Sequence, residues 1–390
     1  MVLLKNGLVY SMCGLPDTAD VLIGDDGKIQ AVEPGIDTIA DTEVIDCTGK
    51  YVLPGFIDAH CHVGMWEDGM GEEGADGNEC SDPITPQLRA IDGLNPFDPC
   101  FREAYMAGVT TVVTGPGSAN VIGGQFCAMK TCGTSVENML IKAPITMKAA
   151  MGENPKRVYG DQKVTPYTRM AIASLFRKAM FDTIEYRDAL EAAKEDPAKK
   201  PDKNVALDAL LPVIAGELPL KIHAHRADDI LTALRLAKEF HLRVTIEHCT
   251  EGHLIANILK EQLDELGAGI IVGPLLSERS KIELRNLSYA APRILHEAGI
   301  KFAIMTDHPV IPIQFLPVEA GLAVREGLDE LTALAAITAN AADIVGLSDR
   351  IGRIKPGLDA DLSVFSAHPF DFRSHCEMTF INGKSVYTAR

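Results

Sequence analysis

The middle of the chain alternates short apolar runs with amphipathic segments. Apolar runs rich in β-forming residues occupy 55–60, 108–114, 125–130, 145–150, 220–222, 242–246, 269–272 and 301–305. Segments with helical periodicity separate the later runs, at 228–240, 251–266, 284–298 and 328–345. Repeated strand–helix units are typical of a parallel sheet, and eight such strands predict a (β/α)₈ TIM barrel.

The two ends of the chain have a different pattern, made of short strands and turns. Asn6-Gly7 and Asn382-Gly383 are hairpin signals, each flanked by short apolar runs. Neither end buries enough apolar surface alone, so we expect the two to fold together. The sequence therefore predicts an α/β protein with a composite β-sandwich domain formed by residues 1–52 and 350–390. The barrel occupies 53–349.

Two insertions interrupt the strand–helix rhythm. Residues 65–99 follow the first barrel strand and are rich in acidic side chains. Because loops after barrel strands lie at the C-terminal mouth, we expect this insertion to lie over that mouth, either as a lid or as a solvated loop. Residues 166–195 read as one long helix or two.

Composition and charge narrow the possible partners. The chain has 390 residues, 46% hydrophobic and 23% charged, with a formal net charge of -17. This acidic balance argues against nucleic acid and anionic membranes, so we expect a small-molecule substrate. No signal-peptide pattern or membrane-spanning apolar run is visible. The nine cysteines lack paired spacing and are expected to be reduced thiols. We expect a cytoplasmic homo-oligomer.

The end of the first barrel strand carries a pair of candidate metal ligands. His60 and His62 lie two residues apart after the apolar run that begins at Phe56. Side chains alternate between the two faces of a strand, so both imidazoles point the same way. Neutral imidazole is a preferred ligand of Zn²⁺, and the pair can therefore reach one ion.

Other predicted strands also end in residues that bind metals. His223 ends the fifth strand, His248 the sixth and Asp307 the eighth. The C-terminal ends of barrel strands converge on a single mouth, so we expect these side chains to meet there. Four imidazoles and one carboxylate can hold one ion with an open position, or share two ions.

These segments together resemble the amidohydrolase superfamily. The matching pieces are 54–62, Glu247-His248, 306–308, 357–362 and 382–384. The context of His223-Ala224-His225 is similar to the imidazolonepropionase and related dipeptidase branch of these metal-dependent hydrolases. The resemblance implies a set of metal ligands at the barrel mouth: His60, His62, His223, His248 and Asp307.

One further ligand position has two candidates. Binuclear members of the superfamily carry a carboxylated lysine on the fourth strand, and Lys148 resembles that position. Other members use a glutamate at the strand end, and Glu153 stands where such a residue would serve, or where it would face the substrate. We favour Lys148 and keep Glu153 as the alternative.

The resemblance implies hydrolysis of a C–N bond by activated water. One or two divalent ions, most simply Zn²⁺, would lower the pKa of bound water from 15.7 to about 7. Asp307 would accept the proton and pass it to the leaving nitrogen, while His248 would help to polarise the electrophile. His225 and Arg226 are candidates for substrate contact, and Arg226 suits a substrate carboxylate.

The expected function is thus hydrolysis of a cyclic amide or a small peptide-like molecule. A deaminase acting on an amidine carbon is the alternative within enzymes. A non-catalytic metal-binding barrel is the alternative outside them.

Overall fold

The computed structural model describes residues 1–38 and 40–389. Its strands are β1 (Val2–Val9), β2 (Asp17–Ile23), β3 (Ile29–Glu33), β4 (Glu43–Asp46), β5 (Tyr51–Pro54), β6 (Phe56–Cys61), β7 (Val109–Thr114), β8 (Ile122–Lys130), β9 (Leu140–Ala150), β10 (Leu220–Ala224), β11 (Val244–His248), β12 (Gly269–Val272), β13 (Phe302–Ile304), β14 (Leu362–Phe365), β15 (Cys376–Ile381) and β16 (Lys384–Thr388). Its helices are α1 (Ala90–Gly93), α2 (Pro99–Met106), α3 (Val136–Met139), α4 (Glu153–Asp161), α5 (Arg169–Glu195), α6 (Val205–Ile214), α7 (Ala227–Glu239), α8 (Ala256–Leu266), α9 (Ala291–Glu297), α10 (Leu316–Arg325), α11 (Glu330–Ala336) and α12 (Ala339–Val345).

The central sheet confirms a mixed α/β fold with a nearly closed, barrel-like sheet of eight strands. Its order is β13-β12-β11-β10-β9-β8-β7-β6. The strands from β9 to β13 pair in parallel, as do β6 and β7. Asp58 on β6 links the two ends of the sheet, because its carboxylate accepts the backbone N–H of Thr306 just after β13. The carboxyl ends of the parallel strands therefore converge on one mouth.

One strand departs from the predicted all-parallel arrangement. β8 pairs antiparallel with both β7 and β9, so the uniform (β/α)₈ expectation is wrong on this side of the sheet. Only residues 115–121 separate β7 from β8, and 131–139 separate β8 from β9. A parallel crossover needs about a dozen residues or more, so these short connections force the chain to reverse.

The two ends of the chain share one hydrogen-bonded sheet. Its order is β16-β15-β14-β5-β1-β2-β3, and β4 also pairs with β1. Leu4 and Val21 from the N-terminal end pack with Leu362 and Phe380 from the C-terminal end in a common apolar core. The ends thus associate as expected. The ladder is a single continuous sheet, so a separate β-sandwich and the domain boundaries 1–52, 350–390 and 53–349 stay predictions.

The predicted helices are present with two main differences. Residues 166–195 contain a single helix, α5, which Thr168 caps at its N-terminus. The predicted helix 328–345 is two helices, α11 and α12, because the chain breaks at Ile337-Thr338. The segment 284–298 is helical only over α9. Among the described helices, none combines the length and the apolar character that crossing a bilayer requires.

Candidate metal centre and active site

The first cluster of metal-capable side chains consists of His60, His62 and Asp307. One ligand atom of each lies within 4.8 Å of the others. His60 Nε2 is 3.5 Å and His62 Nε2 is 3.2 Å from Asp307 Oδ1. The two imidazoles share one face of β6, as strand alternation predicts, and Asp307 reaches them from the residue after Thr306, across the closure of the sheet.

The oxygen nearest to each Nδ1 atom indicates which nitrogen of each imidazole faces Asp307. His62 Nδ1 lies 2.7 Å from the carbonyl oxygen of Gly115. His60 Nδ1 lies 3.1 Å from the carboxylate of Glu247. Both partners only accept, so the Nδ1 atoms carry the protons and the Nε2 atoms present lone pairs to Asp307. Outer partners of this kind orient metal-binding histidines in many proteins.

The second cluster consists of His223, His225 and His248. Their ligand atoms also lie within 4.8 Å of one another. His223 and His225 share one face of the chain at the end of β10, and His248 ends the neighbouring strand β11. The rings of His225 and His248 stack with their centroids 4.3 Å apart. His248 Nδ1 is 2.9 Å from the carbonyl oxygen of Gly273, which leaves its Nε2 free.

Backbone strain accompanies the residues at the strand ends. His248 has φ 68° and Asp307 has φ 54°, both in the left-handed region that side-chain-bearing residues rarely adopt. Such conformations cost about 1–3 kcal/mol each and are concentrated at functional sites. They turn the chain out of β11 and, beyond β13, out of the barrel wall, and so aim each side chain into the mouth.

Lys148 lies in β9, beside the first cluster. Its side chain is fully buried, and Nζ is 3.2 Å from His60 Nε2. Burial lowers the pKa of Lys148 to about 7. Glu153, the alternative from the sequence, begins α4, and its backbone N–H donates to the carboxylate of Glu283. The structure therefore brings Lys148, rather than Glu153, next to the predicted ligands.

Burial and local charge set the protonation of the site. Burial lowers the pKa of His60 to about 4 and holds the pKa values of His223, His225 and His248 well below the ordinary value. Burial acts to raise the pKa of Asp307, but the neighbouring His248, His60 and His62 hold it well below its usual range. Neutral imidazoles and an ionised carboxylate are the forms that bind metal ions.

A cavity of about 290 Å³ opens beside both clusters. His62 and Asp307 from the first cluster line it, together with all three members of the second cluster. The insertion 65–99 reaches this cavity as expected, since Trp66 and Asn78 line its wall. The Trp66 ring packs edge-on against His62, with centroids 4.9 Å apart. The insertion therefore forms part of the pocket itself.

Arg226 does not join the other predicted site residues. Its guanidinium pairs with Asp228 through Nε and one terminal nitrogen, and it precedes the first turn of α7. The cavity lining does not include it. The basic side chain that does line the cavity is Lys281, whose Nζ donates to Asn154 Oδ1 at 3.0 Å. The structure thus offers Lys281 where the sequence suggested Arg226.

Three contributors to the site were not identified from the sequence, namely Asp58, Lys281 and Glu283. Asp58 is buried in β6 and anchors Thr306, the residue before Asp307. Glu283 is buried in the loop after β12 and faces the second cluster. His225 was expected to contact substrate, but it lies among metal-capable atoms. Asp58 sits inside the recognised segment 54–62. Lys281 and Glu283 lie in a loop whose path no local pattern predicts.

The site fits a divalent cation on its own geometry. Asp307 Oδ1 and Glu283 Oε1 are buried and lack hydrogen-bond partners among the described residues. In the first cluster, the lone pairs of two imidazoles face a carboxylate oxygen across 3.2 and 3.5 Å. Buried polar atoms without partners are costly, and a cation between them removes that cost. The donor set of imidazole nitrogen and carboxylate oxygen suits Zn²⁺ and similar ions.

Comparison with known proteins gives the family. The model of the amidohydrolase family matches residues 51–386. A crystal structure of an amidohydrolase from Thermotoga maritima MSB8 is 42% identical, with a TM-score of 0.96 and coverage of 100% of both chains. An imidazolonepropionase from Paracoccus denitrificans (strain Pd 1222) is 25% identical over 95% of this chain and 92% of its own length.

A third relative, amidohydrolase tasK from Hapsidospora irregularis, is 28% identical over 99% of this chain. This chain spans only 43% of that relative's length. The superfamily resemblance drawn from segments such as 54–62 is therefore confirmed at the level of the whole chain. The chain belongs to the amidohydrolase family.

Proposed function

We propose that this protein is a metal-dependent hydrolase of a C–N bond in a cyclic amide or a small peptide-like molecule. The observation that carries the proposal is the convergence of the first and second clusters on one cavity of about 290 Å³. A pocket of this size suits a small molecule. Membership of the amidohydrolase family supports the same reaction class.

The candidate ligands follow from the two clusters. His60, His62 and Asp307 would hold one divalent cation, most simply Zn²⁺, and His223 and His248 would hold a second. A bound dication lowers the pKa of water from 15.7 to about 7 and polarises a carbonyl oxygen. Asp307 accepts the proton of the attacking water and then delivers it to the leaving nitrogen. Its free Oδ1, directed into the site, supports this role.

We further propose that Lys148 carries a carboxyl group when the enzyme is active. The neutral ε-amine would form an N–C bond to CO₂ and release one proton, which converts a neutral amine into an anionic carbamate. Two dications carry four positive charges, and among the ligands named above only Asp307 is an anion. The position of Lys148, with Nζ 3.2 Å from His60 Nε2, supports it over Glu153 as this additional anion.

The walls of the cavity suggest how the substrate is oriented. Trp66, Leu284 and Val310 contribute apolar surface. Asn154 and Lys281 contribute polar groups on the side of the second cluster. His248 lines the cavity beside them, where it would help to polarise the electrophile. A substrate with one apolar face and a polar or anionic group would match this division.

Metal removal and restoration test the proposal. The purified protein is stripped with a chelator and assayed against cyclic amides and dipeptides, before and after addition of Zn²⁺. We expect hydrolysis to disappear on stripping and to return with the metal. The matched pair Asp307→Asn and Asp349→Asn distinguishes an effect on the site from a general effect of replacing an aspartate, because Asp349 is exposed. Retained hydrolysis in metal-free protein would contradict the proposal.

The same assay decides between the remaining alternatives. Release of ammonia from an amidine-containing ring would select the deaminase. Metal binding without turnover of any compound would select the non-catalytic barrel. The homo-oligomeric state and the cytoplasmic location stay predictions, which gel filtration with light scattering and cell fractionation address.

A further inference from the structure

Glu283 is a buried carboxylate beside the second cluster. It lies in the turn of 3₁₀ helix Ile282–Leu284, and its side chain is 1% exposed. Its Oε2 accepts the backbone N–H of Glu153 at 3.1 Å, at the first residue of α4. Its Oε1 is buried without a hydrogen-bond partner among the described residues. One oxygen is thus anchored, and the other is available.

The free oxygen points at two imidazoles. Glu283 Oε1 is 3.8 Å from His223 Nε2 and 3.6 Å from His225 Nε2. These separations are too long for direct N–H···O hydrogen bonds. Ligand atoms about 2.1 Å from a shared tetrahedral Zn²⁺ are separated by roughly 3.4 Å. The spacing therefore resembles three ligands around one cation more than a hydrogen-bonded triad.

The neighbouring Asn154 indicates which atom of His223 faces Glu283. Lys281 Nζ can only donate, and it lies 3.0 Å from Asn154 Oδ1, which fixes the orientation of the amide. Asn154 Nδ2 then faces His223 Nε2 at 3.4 Å. An amide nitrogen only donates, so this imidazole nitrogen presents a lone pair. This unprotonated nitrogen therefore cannot donate to Glu283 Oε1, and a cation bound between the two atoms would replace Asn154 as the partner of the lone pair.

His225 also turns its Nε2 towards Glu283. Its Nδ1 is 2.8 Å from Thr250 Oγ1, so its Nε2 is the atom left to face Glu283. The imidazole is 4% exposed and lines the cavity. Lys281 is the cation that already approaches this carboxylate, and its Nζ remains 3.9 Å from Glu283 Oε1. The space between Glu283 and the two imidazoles thus has ligand atoms on three sides.

We propose that Glu283 is an anionic ligand of the second divalent cation, and that Glu283 and His225 join His223 and His248 in holding it. The inference deepens the proposed function, because it concerns the cation bound by the second cluster. It adds a negative charge to a cluster whose other members are neutral. It also assigns His225 to the metal rather than to the substrate.

Metal counting on variants tests the inference without relying on activity. Chelator-stripped wild type, Glu283→Gln and Glu278→Gln are titrated with Zn²⁺ by calorimetry, and bound ions are counted by mass spectrometry. Glu278 is the control, since it is an exposed glutamate of the same loop. We expect wild type and Glu278→Gln to bind two ions, and Glu283→Gln to bind the second ion at least about 10-fold more weakly.

Equal stoichiometry and affinity in Glu283→Gln would overturn the inference. If that variant does not fold, His225→Gln and a metal-edge anomalous map of the wild type replace it. A peak within bonding distance of Glu283 Oε1 supports the assignment, and peaks bonded only by other residues overturn it. The two proposals can fail separately. If the wild type hydrolyses no compound of the panel but Glu283→Gln still binds the second ion more weakly, the proposed function is contradicted and this inference is supported.

Discussion

The first and second clusters are built from different parts of the fold. The first joins β6 to the chain just after β13, and it contains its own carboxylate, Asp307. The second takes three imidazoles from the adjacent ends of β10 and β11, and its only nearby unpaired carboxylate among the described residues, Glu283, comes from a loop. The first pair of strand ends thus supplies both imidazoles and a carboxylate. The second pair supplies imidazoles only and needs an anion from outside the sheet.

This difference suggests a division of labour. Asp307 both faces the imidazoles of the first cluster and lines the cavity, so proton transfer belongs there. The second cluster is nearer to Asn154 and Lys281, so its cation would polarise or orient the substrate. Four experiments test this comparison.

The largest effect is expected for Asp307→Asn. The substitution keeps the size of the side chain and removes the proton acceptor, so kcat/KM should fall by roughly 10²- to 10⁴-fold. Steady-state kinetics on the best substrate of the panel gives the measurement, with Asp349→Asn as the control. If Asp307→Asn retained more than half of the wild-type rate, proton transfer would have to be assigned to another group.

The separateness of the clusters is tested by His62→Ala and His248→Ala. Each substitution removes one imidazole from one cluster. Each should therefore lower the affinity for one ion by at least about 10- to 100-fold, while the other ion stays bound. Ion counting after dialysis gives the answer. Simultaneous loss of both ions from either variant would mean that the two clusters form a single cooperative site.

A smaller effect is expected for Asp58→Asn. Burial raises the pKa of Asp58 to about 7, and its carboxylate accepts from the backbone and hydroxyl of Thr306. The other carboxylate oxygen accepts the backbone N–H of His60. An amide has one acceptor oxygen, so Asp58→Asn cannot accept from both His60 and Thr306, and Asp307 should lose its orientation. We expect kcat to fall by about 10- to 100-fold with little change in KM. An unchanged kcat would show that β13 holds Asp307 without this link.

The smallest effect is expected for Trp66→Ala in the insertion 65–99. The aromatic contact between Trp66 and His62 is of the kind worth about 0.5–1.5 kcal/mol, so KM should rise by roughly 2- to 10-fold. Phe97→Ala is the matched control, because Phe97 is an exposed aromatic of the same insertion. Equal changes in KM for both substitutions would indicate that the insertion affects substrate binding only through its own stability.

The sequence predicted the parallel part of the barrel and its strand-end residues. Period-two alternation identified His60 and His62 as neighbours, and the convergence of strand ends predicted that Asp307 would join them. These inferences depend on local geometry that every strand shares. The same reasoning brought His223 and His248 together, because β10 and β11 are adjacent parallel strands.

The sequence could not predict features that depend on long-range paths. β8 reads as an ordinary apolar strand, and only the short connections at 115–121 and 131–139 reveal that it reverses direction. Arg226 looked available for substrate, but Asp228 two residues later pairs with it. Glu283 is brought to His223 by a loop that also contacts α4, and no periodicity encodes that contact.

The most direct test of the account is a crystal structure of the zinc-loaded protein with an anomalous map at the metal edge. We expect two peaks at the mouth of the barrel, one bonded by His60, His62 and Asp307 and the other by members of the second cluster. A map in which no ion lies within bonding distance of either cluster would contradict it.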